Sequence, residues 1–180
     1  MKRFLMAFLF LPLASCAGPR APKGVVFPAG TAVQFGLPSG AVPSDDLITG
    51  GEPNGFTIVG AAKAGVRSVV NLQTERESPH PGLVRQWAKK SGLEFFHLPI
   101  DGTAGVTREN ADRLDAVLRR APRPVLVHCA SSNRVGALLA LRAFYVDGLS
   151  AEEAVAYGKR AGLTRLEKHV RRLLVQGALK

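Results

Sequence analysis

Residues 124–146 constrain the fold of this chain more than any other stretch. The run Val125-Leu126-Val127-His128 is apolar and β-rich and ends at Cys129. Ala130, Ser131, Ser132 and Asn133 separate that cysteine from Arg134, and Arg142 is the one charge in residues 135–146. A strand apolar along its whole length is covered on both faces. A helix apolar nearly all round is buried. Strand, short loop and buried helix in that order place Cys129 at a strand's carboxyl end and on a helix N-terminus. Backbone amides and the helix dipole favour an anion there, and the same field favours a thiolate. Arg134 adds a planar fork suited to phosphate or sulfate.

The flanking pattern alternates. Residues 46–49, 66–72 and 93–98 read as strands. Residues 54–64, stopped by Gly65, read as a helix, as do 81–90 and the stretch from Thr107, as cap, to about Arg120. Gly148 ends the buried helix. Ser150 with Glu153, and Thr164 with Glu167, have capping-box spacing for two more helices, the last with Leu166, Val170, Leu173 and Leu174 as its apolar face. Strands separated by helices of this length imply an α/β fold, a mostly parallel central sheet flanked by helices. Ligands of such sheets lie beyond the carboxyl ends of the strands.

The 180 residues suffice for one domain with a real core, and the net charge of +10 suits an anionic partner. No nucleic-acid motif accompanies that charge, so nucleic acid is not expected. His97 and His128 share no zinc-ligand spacing with Cys or Asp, so neither metal nor cofactor is expected; His97 reads as a strand residue with a satisfied ring. Glu75, Arg76 and Glu77 read as a solvated loop near the site. Arg165, Lys168, Arg171 and Arg172 read as the wet face of the last helix.

The N-terminus has its own signature. Met1-Lys2-Arg3 precedes an apolar run, residues 4–13, too short to span a bilayer. Leu13-Ala14-Ser15-Cys16 resembles the lipobox of bacterial lipoproteins. The resemblance implies a signal peptide over residues 1–15, a lipid on Cys16 and export. Ala17, not acidic, resembles outer-membrane rather than inner-membrane sorting, with the domain facing the periplasm. Residues 16–44, rich in Pro and Gly, read as a tether with one short strand near Val33 to Phe35, and residues 45–180 as the domain. Lipidation of Cys16 leaves Cys129 as the single free thiol, which raises the expectation that it is functional.

Four separated segments carry a further resemblance: Gly50 to Pro53, Val69 to Glu77, His97 to Asp101, and Val127 to Gly136. Together they resemble the bacterial phosphatase-like domain of the beta-lactamase-hydrolase-like family, within the tyrosine and dual-specificity phosphatase superfamily. The resemblance covers residues 45–174 and implies the dual-specificity-phosphatase-like fold. It also implies a phosphoester substrate. Cys129 would form a thiophosphate, and Arg134 with the amides of Ala130, Ser131, Ser132 and Asn133 would cradle the oxygens. Asp101 would be general acid and base, and His128 would tune the thiolate. Val135 and Gly136 would complete the substrate-binding segment.

Two departures keep other readings open. The phosphatase loop has five residues between cysteine and arginine, whereas here there are four. Val135 stands where those enzymes usually place Ser or Thr. Rhodanese-like sulfurtransferases also have short loops, so a Cys129 persulfide is one alternative. An oxyanion-binding module without turnover is another. The plain alternatives are a buried structural Cys129, an Arg134 that only pins its loop, and an Asp101 that only makes a turn.

Overall fold

The computed structural model describes Pro28 and residues 31–78 and 82–178. The expected signal peptide, Cys16 and most of the expected tether lie outside the described residues. The chain order is α1 (Thr31–Gln34), β1 (Ala41–Ser44), β2 (Leu47–Gly50), α2 (Gly55–Lys63), β3 (Ser68–Asn71), α3 (Leu83–Lys90), β4 (Glu94–His97), α4 (Arg108–Arg120), β5 (Val125–His128), α5 (Asn133–Tyr145), α6 (Ala151–Arg160) and α7 (Glu167–Ala178).

The strands form one sheet in the order β1-β2-β5-β3-β4. Only β1 is antiparallel to its neighbour. The expected α/β architecture is therefore the one observed. Its apolar strand β5 lies at the centre, with Val125, Leu126 and Val127 all fully buried. Side chains alternate across the sheet. Leu126 joins Ile48, Val69, Ile58 and Ala88 on the α1–α3 side, while Val125 and Val127 join Leu114, Leu138 and Leu174 on the α4–α7 side.

Local sequence sets most helix starts. Asn54 accepts from the Thr57 amide at 2.9 Å, Thr107 caps α4 at 3.2 Å, and Ser150 with Glu153 forms the expected capping box. The second expected box does not form, because Thr164 donates from its amide and hydroxyl to Asn133 Oδ1. Arg142, the charge in the apolar body of α5, reaches Asp115 of α4 at 2.8 Å and Asp147 at 2.6 Å.

The fold begins earlier than the tether reading allows. Residues around Val33 form the short helix α1, not a strand. Ala32 and Leu37 are buried in the core, and β1 supplies the sheet's edge. Pro and Gly masked this segment's role, because its few apolar residues show no period.

Gly50, His128, Asn71 and His97 stand side by side across the four parallel strands. The segments that follow them all emerge at that carboxyl edge, including the four that carried the resemblance.

Candidate active site

Cys129 follows the end of β5 and donates its amide to the Gly50 carbonyl at 3.2 Å. The chain then turns sharply. The Ala130 carbonyl accepts from the Glu52 amide at 3.3 Å, and Ser131 bridges to Gly51. A Cβ on Gly51 would lie 2.9 Å from the Ala130 carbonyl, so this approach needs glycine. Ser132 takes the left-handed conformation, φ 64°, just before α5. Its hydroxyl donates to the Ala161 carbonyl at 3.0 Å, which holds a backbone shape that L residues rarely adopt. Helix α5 starts at Asn133, two residues earlier than expected. A helix's first-turn amides lack intrahelical partners, so the N–H groups of Asn133, Arg134 and Val135 have no acceptor within α5.

The Arg134 side chain is held firmly and only 7% exposed. Its Nη1 donates to the Ile100 carbonyl, to Leu72 O at 3.4 Å and to Glu77 Oε2 at 2.9 Å, while Nη2 donates to Glu77 Oε1 at 2.6 Å. Glu77 thus takes the Nη1–Nη2 edge, and among the described residues no acceptor engages Nε. Partial burial by itself raises the Glu77 pKa. Hydrogen bonds from Arg134 and Thr74 outweigh it and hold the carboxyl below its ordinary value. Glu77 was expected in a solvated loop; it is instead the counter-ion of the site arginine. A carboxylate in a polar stretch gives no sign of its partner, since the pairing spans 57 residues.

His128 is fully buried. Desolvation, with smaller effects from nearby His97 and Arg134 and an opposing hydrogen bond to Cys129 O, lowers its pKa to about 4. It is therefore neutral near pH 7, with Nδ1 3.4 Å from the Cys129 carbonyl. Any tuning of the thiol by this ring works through packing and backbone position, not through an imidazolium charge. His97 bonds the Gln73 carbonyl at 2.8 Å, the satisfied strand residue expected of it.

A cleft of about 430 Å³ opens over the loop, lined by Glu77, Gly102, Thr103, Ala130, Ser131, Asn133, Arg134, Arg165 and Leu166. Cys129, 1% exposed, is not itself among the lining residues. The 101–106 loop borders the cleft through Gly102 and Thr103, while the Asp101 side chain is exposed outside the lining. Three other groups of this segment are spent on the fold. The Asn133 carboxamide bonds residues 164 and 166. Val135 is buried in the core, and the Gly136 amide is spent on the Ser132 carbonyl. Gly136 serves packing: a Cβ there would run into Leu163 N and lie 2.6 Å from Gly158 O. Arg165, expected on the wet face of α7, lies in the preceding turn and faces the cleft.

The family described as beta-lactamase hydrolase-like protein, phosphatase-like domain, matches residues 52–144, just over half the chain and everything from Glu52 through Arg134. This chain belongs to that family. The phosphatase-like domain is 29% identical over 122 residues to a beta-lactamase hydrolase-like protein of Xylella fastidiosa (strain Temecula1 / ATCC 700964), covering 66% of this chain and 28% of that protein. It thus spans little more than a quarter of the relative's length.

Among solved structures, the phosphatase-like domain resembles a candidate phosphatase from Neisseria meningitidis Z2491. The TM-score is 0.65 at 17% identity, over 75% of this chain and 98% of that one. It also resembles a cysteine-to-serine form of P. aeruginosa TpbA in complex with phosphotyrosine. There the TM-score is 0.50 at 21% identity, over 77% and 88% of the two chains. At these identities the likeness establishes the cysteine-phosphatase fold.

Proposed function

We propose that this phosphatase-like domain hydrolyses a phosphoester through Cys129. The observation that carries the reading is the placement of Arg134: Glu77 and two carbonyls hold Nη1 and Nη2, no acceptor among the described residues engages Nε, and the residue lines the cleft together with Ala130 and Ser131 of the cysteine loop. The Cys129 thiolate attacks phosphorus, the bond to the ester oxygen breaks, and a thiophosphate forms. The loop and first-turn amides and Arg134 stabilise the charge on the equatorial oxygens. The departing oxygen takes a proton from Asp101, whose loop borders the cleft. Water then attacks phosphorus, gives its proton to Asp101 and releases phosphate and the thiolate. The phosphotyrosine bound to the TpbA variant supports an aryl phosphate as first substrate. Purified protein is expected to hydrolyse p-nitrophenyl phosphate and to lose turnover with Cys129→Ser; unchanged turnover in that variant overturns the reading.

The four-residue spacing from Cys129 to Arg134 also supports a second chemistry, transfer of a persulfide sulfur. Mass spectrometry after thiosulfate treatment is its test. A sulfur adduct on Cys129 without phosphoester turnover would replace the first reading.

The lipobox-like Leu13 to Cys16 segment supports a lipid anchor on the periplasmic side of a bacterial membrane. The chain is expected to partition into detergent, and Cys16→Ser to release it to the aqueous phase. Equal partitioning removes the anchor.

A further inference from the structure

Arg165 stands apart among the basic residues. It is exposed, it faces the cleft, and it has no ion-pair or hydrogen-bond partner among the described residues. Neighbouring Arg171, by contrast, is paired with both Glu167 and Glu152. The cysteine loop itself fixes the position of Arg165. Asn133 Oδ1 accepts the Thr164 amide at 2.9 Å and the Leu166 amide at 3.3 Å, bracketing Arg165 on both sides. The Ser132 hydroxyl holds the Ala161 carbonyl just upstream at 3.0 Å. Two loop residues thus spend their side chains on the turn that carries this arginine.

The charges in the cleft do not cancel. Arg134 and Glu77 neutralise each other at 2.6 Å, leaving Arg165 as the uncompensated charge of the lining. A flexible surface cation would need no such bracing. A cation whose backbone is braced at a set offset from an anion cradle can reach a second anionic group on the same molecule.

We infer that Arg165 is a specificity-determining residue that binds a second negative group, carboxylate or phosphate, on a substrate whose phosphoryl group sits at Arg134. The inference rests on the phosphoryl-binding reading of the loop but not on turnover.

The test is equilibrium binding to the full-length chain carrying Cys129→Ser, so that no ligand is consumed. Calorimetry compares phenyl phosphate with 4-carboxyphenyl phosphate and with benzene-1,4-bisphosphate, the last two separating carboxylate from phosphate as the second group. At least one doubly anionic ligand is expected to bind about five-fold tighter than phenyl phosphate, with the preference shrinking as salt rises. Adding Arg165→Gln is expected to bring the ratio to about one, and Arg165→Lys to retain part of it. A ratio near one before Arg165 is changed overturns the inference. So does an equal loss for all three ligands in Arg165→Gln, which would place Arg165 on the scissile phosphate itself. Failure of the phosphatase reading looks different: the Cys129 form turns over no aryl phosphate while the binding ratio survives.

Discussion

Arg134 acts as a positioned group because Glu77 holds it. Glu77→Gln preserves the shape and removes the charge, so the guanidinium loses half its clamp. Turnover of p-nitrophenyl phosphate is expected to fall about ten-fold or more in kcat/KM; an unchanged value would show that the carbonyls of Leu72 and Ile100 suffice. His128 gives the residue scale a pH signature. Its folded pKa of about 4 lies below its ordinary value of 6.5, so the unfolded chain takes up a proton first as pH falls. Stability is full above pH 6.5, declines between 6.5 and 4, and is flat below, a loss on the order of 3 kcal/mol. Glu77 acts lower: its depressed pKa contributes stability above its ordinary 4.5, lost as pH falls through the folded value. Urea midpoints measured from pH 7.5 to 4 are expected to slope downward, and His128→Gln to flatten that slope. An equal slope in the variant assigns it to another group.

The contact of α5 with α6 decides where the loop sits. A Cβ at Gly136 would meet the backbone at Leu163 and Gly158, and one at Gly158 would lie 2.7 Å from Ala140 Cβ. Backbone cannot move aside as a flexible side chain can. Gly136→Ala is expected to cost about 3 kcal/mol, read as a lower urea midpoint, and to disturb the 161–166 turn packed against it. A midpoint within error of the parent would show that the helices separate freely. Helix α5 was legible from its own residues, since its apolar circumference admits only a buried position. The caps at Thr107 and Ser150 were also legible, because they act within one helical turn. Thr164 misled for the opposite reason: its cap spacing to Glu167 was local, but Asn133, 31 residues away, took its amide and hydroxyl.

Domain extent is decided across the whole molecule. Proline and glycine made residues 31–44 look like linker, yet Ala32 and Leu37 are buried and β1 covers the edge of β2. Starting the chain at residue 45 exposes that edge and empties part of the α1–α3 side. Such a truncation is expected to be poorly soluble and several kcal/mol less stable, whereas a chain starting at residue 31 keeps a cooperative urea transition. Equal midpoints for the two would return the segment to a tether. The absence of period along 31–44 hid its role, since burial there depends on partners found only after β2 and α2 are placed.

The chain's own order determined the parallel α/β sheet, the buried α5, and a cysteine loop on a helix N-terminus. Those features follow from periodicity and from strand-to-helix succession, which act between near neighbours. Tertiary structure alone decided that Glu77 clamps Arg134, that His128 is neutral, that Asn133 braces a distant turn, and that Arg165 faces the cleft. Each depends on groups far apart in sequence meeting at one sheet edge, where burial and charge acquire values that no local pattern encodes.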